Sequence, residues 1–138
     1  MTSKIQIVPY EEAYYWEIRR WYEVREIDFP AEINEMPKVG GFVALLSGEP
    51  VAYGFIALTN SFVALLNHMI SNPDLTGYKS GLAMKTLLAK IDSYAKNAGC
   101  SVIMASYTAK SIGRVLERFG YSEPKHHYIS SRRTDLGV

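Results

Sequence analysis

The sequence predicts an α/β domain whose sheet is mostly antiparallel at its centre, and three observations carry that prediction. Apolar, β-prone runs at 42–46, 51–58 and 62–70 follow one another with turn residues between them, as in a meander. The turn Thr76-Gly77-Tyr78-Lys79-Ser80-Gly81 then separates the third run from the longest helical pattern of the chain. Strand-like and helix-like patterns go on alternating beyond it, which favours a layered α/β architecture over a helical bundle.

Taken in order, Lys4 to Val8 is a short apolar alternation, read as a first or edge strand. Pro9 stands close to a helix start, and residues 11–25 place Tyr14, Tyr15, Ile18, Trp21, Tyr22 and Arg25 at helical spacings. Such an aromatic face either packs into the core or walls an acceptor groove. Residues 29–41 hold Pro30, Pro37, Gly40 and Gly41 around a short helix at 31–35, and read as a substrate-side loop. Phe42–Leu46 and Val51–Leu58 form an antiparallel hairpin across Ser47-Gly48-Glu49-Pro50, and Asn60 marks the turn into a third strand, Phe62–Ile70.

The long helix is expected from Gly81 to Ala98. Its apolar stripe is Leu82, Met84, Leu87, Leu88, Ile91, Tyr94 and Ala95, with Lys85, Lys90, Asp92, Lys96 and Asn97 outward and Gly99 ending it. Ser101–Tyr107 is a further strand. Ala109–Phe119 is a shorter helix with Ile112, Val115, Leu116 and Phe119 on one face, stopped by Gly120. Tyr121 and residues 126–130 supply the last strand or strands, and residues 131–138 read as a polar, flexible tail.

The 138 residues amount to one domain with room for a real core. Cys100 is the only cysteine, so no intrachain disulfide forms; its strand-like neighbours make it a small buried thiol. No apolar stretch is long enough to span a bilayer, and a cytoplasmic location with no membrane partner is expected. The net charge is +1, from 15 Lys and Arg against 14 Asp and Glu, too balanced for a nucleic-acid footprint across the surface. An acidic first third (Glu11, Glu12, Glu17, Glu23, Glu26, Asp28, Glu32, Glu35) precedes a stretch from Lys79 onward that carries most of the Lys and Arg. A cationic acceptor beside an anionic cofactor fits that asymmetry, and scattered solvation charge explains it equally well. His126 and His127 point to opposite faces of a strand and have no Cys, Asp or Glu at ligand spacing, so no metal is expected. Lys125, Arg132 and Arg133 either grip a phosphate or solvate the tail.

A strand, a glycine turn and a helix N-terminus together present main-chain N–H groups to an anion, and a phosphate-bearing ligand is expected there. The turn is neither a Walker A loop nor a Rossmann glycine motif, so nucleotide hydrolysis is not expected. What remains is a backbone nest. Gly77 and Gly81 permit tight turns, the N–H groups from Lys79 to Ala83 face the anion, and Lys79 and Ser80 add a charge and a hydroxyl. A tight connection with a solvent-facing Lys79 explains the same residues.

Asn72-Pro73-Asp74-Leu75-Thr76-Gly77-Tyr78-Lys79-Ser80-Gly81 resembles the Q/R-x-x-G-x-G/A signature of the Gcn5-related N-acetyltransferase (GNAT) superfamily. Val115-Leu116-Glu117-Arg118-Phe119-Gly120-Tyr121 resembles that family's L-Y-E-K-L-G-F. The resemblance covers residues 5–130. It implies a mixed, mainly antiparallel twisted sheet flanked by helices on both faces, acetyl-coenzyme A as cosubstrate and no metal. Thr76 stands where Gln or Arg is usual and Lys79 where the middle glycine is; a second register puts Tyr78 first, with Gly81 and Ala83 at the glycine positions. The implied cofactor-binding set is Thr76, Gly77, Tyr78, Lys79, Ser80, Gly81, Leu82 and Ala83, with main-chain donors at Met69, Ile70 or Ser71 holding the thioester carbonyl.

Direct transfer of an acetyl group to a primary amine needs a held carbonyl, a deprotonated amine and a proton for the leaving thiolate. The family's usual acid, a tyrosine, is Leu116 here, so Tyr107 with Ser106 behind it is the substitute candidate. His68 is a candidate base, with Glu26 or Glu32 acting through water as the alternative. The acceptor is a small-molecule or protein amine, and a homodimer through the aromatic helix or the last strands is left open. The competing reading is a non-catalytic coenzyme A-binding or protein-interaction module of the same fold; a nucleic-acid partner is not expected.

Overall fold

The computed structural model describes residues 4–28, 40–75, 77–107, 110–121 and 129–133. Six strands, β1 (Ile5–Pro9), β2 (Gly41–Leu46), β3 (Glu49–Leu58), β4 (Val63–Ser71), β5 (Val102–Ser106) and β6 (Ile129–Arg133), lie side by side in chain order. Among the described residues three helices accompany them: α1 (Tyr15–Val24), which follows a 3-10 turn at Glu12–Tyr14, α2 (Gly77–Asn97) and α3 (Lys110–Arg118). Every strand pair is antiparallel except β4 with β5, because α2 carries the chain back across the sheet between those two. The expected mixed, mainly antiparallel sheet is therefore present.

Period-2 alternation sorts the core onto two faces. Phe42 and Ala44 of β2 join Ile56, Leu66 and Ile103 under Met84, Leu87, Leu88 and Ile91 of α2 and Leu116 of α3. Val43 and Leu45, one residue out of phase, join Tyr53 and Ile70 under Ile18, Trp21 and Tyr22 of α1. Side chains of this size each contribute roughly 1.5–3 kcal/mol on full burial. The aromatic face expected for α1 is core: Trp21 and Tyr22 are buried and Tyr14 and Tyr15 pack against the same cluster, while Trp16, off that face, is 73% exposed. Cys100 is buried and its sulfur is in no disulfide.

Several boundaries differ from those read in the sequence. The β2–β3 connection is a two-residue turn, Ser47 (φ 52°) and Gly48 (φ 83°), whose paired positive φ suits the twist of a tight hairpin; Glu49 and Pro50 already belong to β3. The helix expected to begin at Gly81 begins at Gly77, so the presumed loop is its first turn. Residues 131–133, expected in the tail, continue β6 against Val102–Met104 of β5. The expected helix at 31–35, together with Glu32, Lys125, His126 and His127, lies outside the described residues.

Candidate functional site

The sheet opens where β4 and β5 part. Their parallel pairing ends at Leu66 with Ala105, while β4 stays on β3 as far as Ser71 with Ala52 and β5 stays on β6 as far as Ser106 with Ile129. A bulge accompanies the fork. Phe55 pairs with Asn67 and Tyr53 with Ile70, so His68 and Met69 together oppose Gly54, and His68 takes φ 60°. The extra residue reverses the alternation: Ala64 and Leu66 face α2, and beyond the bulge it is Met69 that takes that side while Ile70 faces α1.

Helix α1 fastens the far part of β4. The Tyr22 hydroxyl donates to the His68 carbonyl at 3.2 Å, and Arg25 donates to the Ser71 carbonyl and, at 3.1 Å, to its Oγ. Burial pushes the Tyr22 phenol well above its ordinary range, which keeps it a donor. One turn earlier, Arg20 reaches Asp74 at 3.0 Å, and Asn72 Oδ1 accepts the Asp74 N–H at 2.9 Å, so the turn entering α2 is tied to α1.

On the other face, a groove of about 690 Å³ runs between the first turns of α2 and the end of α3. Gly77, Tyr78, Gly81, Leu82 and Lys85 form one wall, and Val115, Arg118 and Phe119 the other. The N–H groups of Gly77, Tyr78 and Lys79 head the helix without intrahelical acceptors, whereas those of Gly81, Leu82 and Ala83 are taken by the ladder. The donors thus lie earlier than the Lys79–Ala83 span expected from the sequence. A Cβ on Gly81 would meet nothing within 4 Å, so no packing requires glycine in this exposed helical position. Glycine there leaves main chain open to the groove. The combination of apolar walls, two cations and a helix N-terminus suits an elongated ligand with an apolar arm and anionic groups.

The remaining predicted residues are distributed around this frame. Lys79 and Ser80 stand in the first turn of α2, Ala83 is fully buried in the core, and Thr76 lies outside the described residues. His68 lies on the α1 side near the Phe55 ring, with centroids 6.5 Å apart. Ser106 is exposed at the end of β5, and Tyr107 packs across α3, where a Cβ on Gly113 would stand 2.7 Å from its ring. Glu26 is exposed, just past the end of α1. Lys85, Val115, Arg118 and Phe119 were not anticipated as groove residues. The i, i+3, i+4, i+7 spacing Tyr78, Gly81, Leu82, Lys85 was the signal for Lys85, and the i, i+3, i+4 spacing Val115, Arg118, Phe119 the signal for the other wall. Among the described residues, no group of three His, Cys, Asp or Glu could hold a metal ion, and no helix is long and apolar enough to cross a membrane.

No protein-family model and no curated protein matches the sequence. Solved structures do match. A GNAT-family acetyltransferase from Staphylococcus aureus Mu50 superposes with a TM-score of 0.76 over 95% of this chain and 99% of its own, at 14% identity. The chain has the GNAT acetyltransferase fold. N-acetylglutamate synthase from Neisseria gonorrhoeae, complexed with coenzyme A and N-acetyl-glutamate, gives 0.76 over 97% of this chain at 15% identity. There the match spans only 36% of the larger chain. Ard1 from Thermoplasma volcanium gives 0.72, covering 94% of this chain and 97% of its own, at 11% identity. The GNAT fold accounts for the forked sheet, with α2 entering beside the fork.

Proposed function

We propose that the chain is a divergent member of the GNAT superfamily that transfers an acetyl group from acetyl-coenzyme A to a primary amine by direct attack. The observation that carries this is the groove in which Gly81 opens the main chain of α2 between Lys85 and Arg118. The two cations and the N–H groups of Gly77, Tyr78 and Lys79 hold the phosphates, and Leu82, Val115 and Phe119 line the path of the apolar arm towards the fork. Main-chain donors between His68 and Ser71 polarise the thioester carbonyl, since β4 has lost β5 as a partner there. The amine nitrogen bonds to the carbonyl carbon, the C–S bond breaks, and the thiolate takes a proton from Tyr107. His68, on the acceptor side, removes the amine proton through water. Cys100 is buried and serves no covalent intermediate.

One observation favours a second reading, a non-catalytic coenzyme A-binding module. Leu116, at the position where the resembled motif carries tyrosine, is 1% exposed and part of the core. Titration with acetyl-coenzyme A alongside a thiol-release assay over a panel of amines separates the two. Saturable binding with amine-dependent thiol release supports transfer, and binding without release supports the second reading. Folded protein that binds no acetyl-coenzyme A contradicts both.

A further inference from the structure

Helix α1 carries two arginines with carboxylate partners, and its C-cap, Arg25, has none among the described residues. Arg19 bonds Glu23 at 3.1 Å and Arg20 bonds Glu17 at 2.6 Å and Asp74 at 3.0 Å. Arg25, half-buried at the end of the helix, has only neutral acceptors among the described residues, the Ser71 carbonyl and hydroxyl. The hydrogen bonds to Tyr15 and Glu17 lead in raising Arg19 and Arg20, whereas burial leads in lowering Arg25. A desolvated guanidinium with unused donors is costly unless an anion completes it.

Its location gives that anion a purpose. The Asn72 N–H bonds to the Val51 carbonyl, and Ser71 is opposite Ala52, so the Ser71 N–H and carbonyl point away from β3, to the side where β5 has departed. Arg25 therefore holds the open edge of β4 from the α1 side, across the sheet from the groove. The Tyr22 hydroxyl is already committed to the His68 carbonyl, and among the described residues Arg25 is the charged donor on Ser71.

We infer that Arg25 is a specificity-determining residue that binds the carboxylate of the acceptor, so the amine substrate is an amino-acid-like molecule. This rests on the acyltransferase reading above. The guanidinium fork takes a carboxylate in two parallel hydrogen bonds, and a carboxamide forfeits the charge-assisted part of that pairing. Bound there, the carboxylate orients its amine at the fork of β4 and β5.

The test uses the full chain with L-amino acids, each paired with its own carboxamide, followed by thiol release from acetyl-coenzyme A. The expected result is a kcat/KM at least about tenfold higher for the carboxylate members, consistent with charge-assisted bonding. That preference should disappear in Arg25→Gln and be partly kept in Arg25→Lys. In parallel, the Arg25 Nε–H resonance should shift saturably on addition of N-acetyl-L-amino acids and not of their amides. This second readout needs no turnover, so a protein that binds carboxylate at Arg25 without releasing thiol fails as a transferase and not as a carboxylate binder. Equal use of acids and amides by the native chain, a preference that survives in Arg25→Gln, or an Nε–H resonance unmoved by carboxylates would each overturn the inference.

Discussion

Leu66 and Ala105 form the last register pair of the parallel β4/β5 ladder, and each is only 1% exposed. The fork that opens beyond them is therefore set by a packed apolar floor and by the bulge at His68, not by a loose connection. Residues on both sides of it are held in place, and this allows specific expectations for individual side chains.

Tyr107 is held by its packing on Gly113, where even a methyl group would meet the ring at 2.7 Å. Gly113→Ala should cost about 1–3 kcal/mol of overpacking against about 1 kcal/mol of helix propensity gained. Removing the ring as well, in Gly113→Ala with Tyr107→Ala, should recover the overpacking part, measurable as a coupling energy in urea denaturation. Tyr107→Phe should leave acetyl-coenzyme A affinity unchanged and slow thiol release about 10²-fold if the hydroxyl is the acid.

Leu116 answers to packing. Leu116→Ala should lose about 2–5 kcal/mol. Leu116→Tyr should destabilise by about 1–3 kcal/mol, since the site is closed by core neighbours, and thiol release should not rise. Thermal unfolding and the thiol assay on the same preparations check both parts.

Glu17 accepts from Arg20 at 2.6 Å and from the Trp21 indole N–H at 2.9 Å, and the hydrogen bond to Arg20 leads in lowering its carboxyl below the ordinary 4.5. A carboxyl lowered by folding contributes stability that is complete above its unfolded value and is lost as pH falls through the lower folded value. Urea midpoints from pH 6 downward should therefore drop more steeply below about pH 4.5 for the native chain than for Glu17→Gln. The effect is small, because both partners are partly exposed.

Much of this was legible in the sequence because it is written in local signals. Ser47-Gly48 between apolar runs gave the hairpin, and the stripe from Met84 to Ala95 gave the face of α2. The bulge was not legible: strict alternation puts Asn67 and His68 on opposite faces, and only the pairing with Gly54 reveals the added residue that sends Met69 to the α2 side. Gly77 and Gly81 read as a tight turn ahead of the helix; Gly77 does take φ 65°, whereas Gly81 lies inside the helix, and nothing local shows that an open groove accompanies it. Ser131 to Arg133 read as a tail because polar residues give no strand signal, and their placement comes from the partner strand β5. Arg25 gave only its place in a helical pattern; its want of a carboxylate partner among the described residues is a tertiary fact.

Glu26 follows α1 with φ 57°, and the Ile27 N–H closes back on the Tyr22 carbonyl at 3.0 Å, a helix-ending turn that glycine adopts without strain. Glu26→Gly should leave stability unchanged or raise it by up to about 1 kcal/mol, as the relief of a left-handed side chain offsets the added freedom of the unfolded chain. Guanidinium denaturation would report it.

The most direct test of the central claim is isothermal titration of acetyl-coenzyme A into the native chain and into Gly81→Trp. The groove account predicts saturable binding by the native chain. It predicts affinity at least about tenfold weaker in the variant, whose fold should survive because a side chain there starts in open space. Equal affinity in both would place the coenzyme elsewhere, and no binding by the native, folded chain would contradict the account outright.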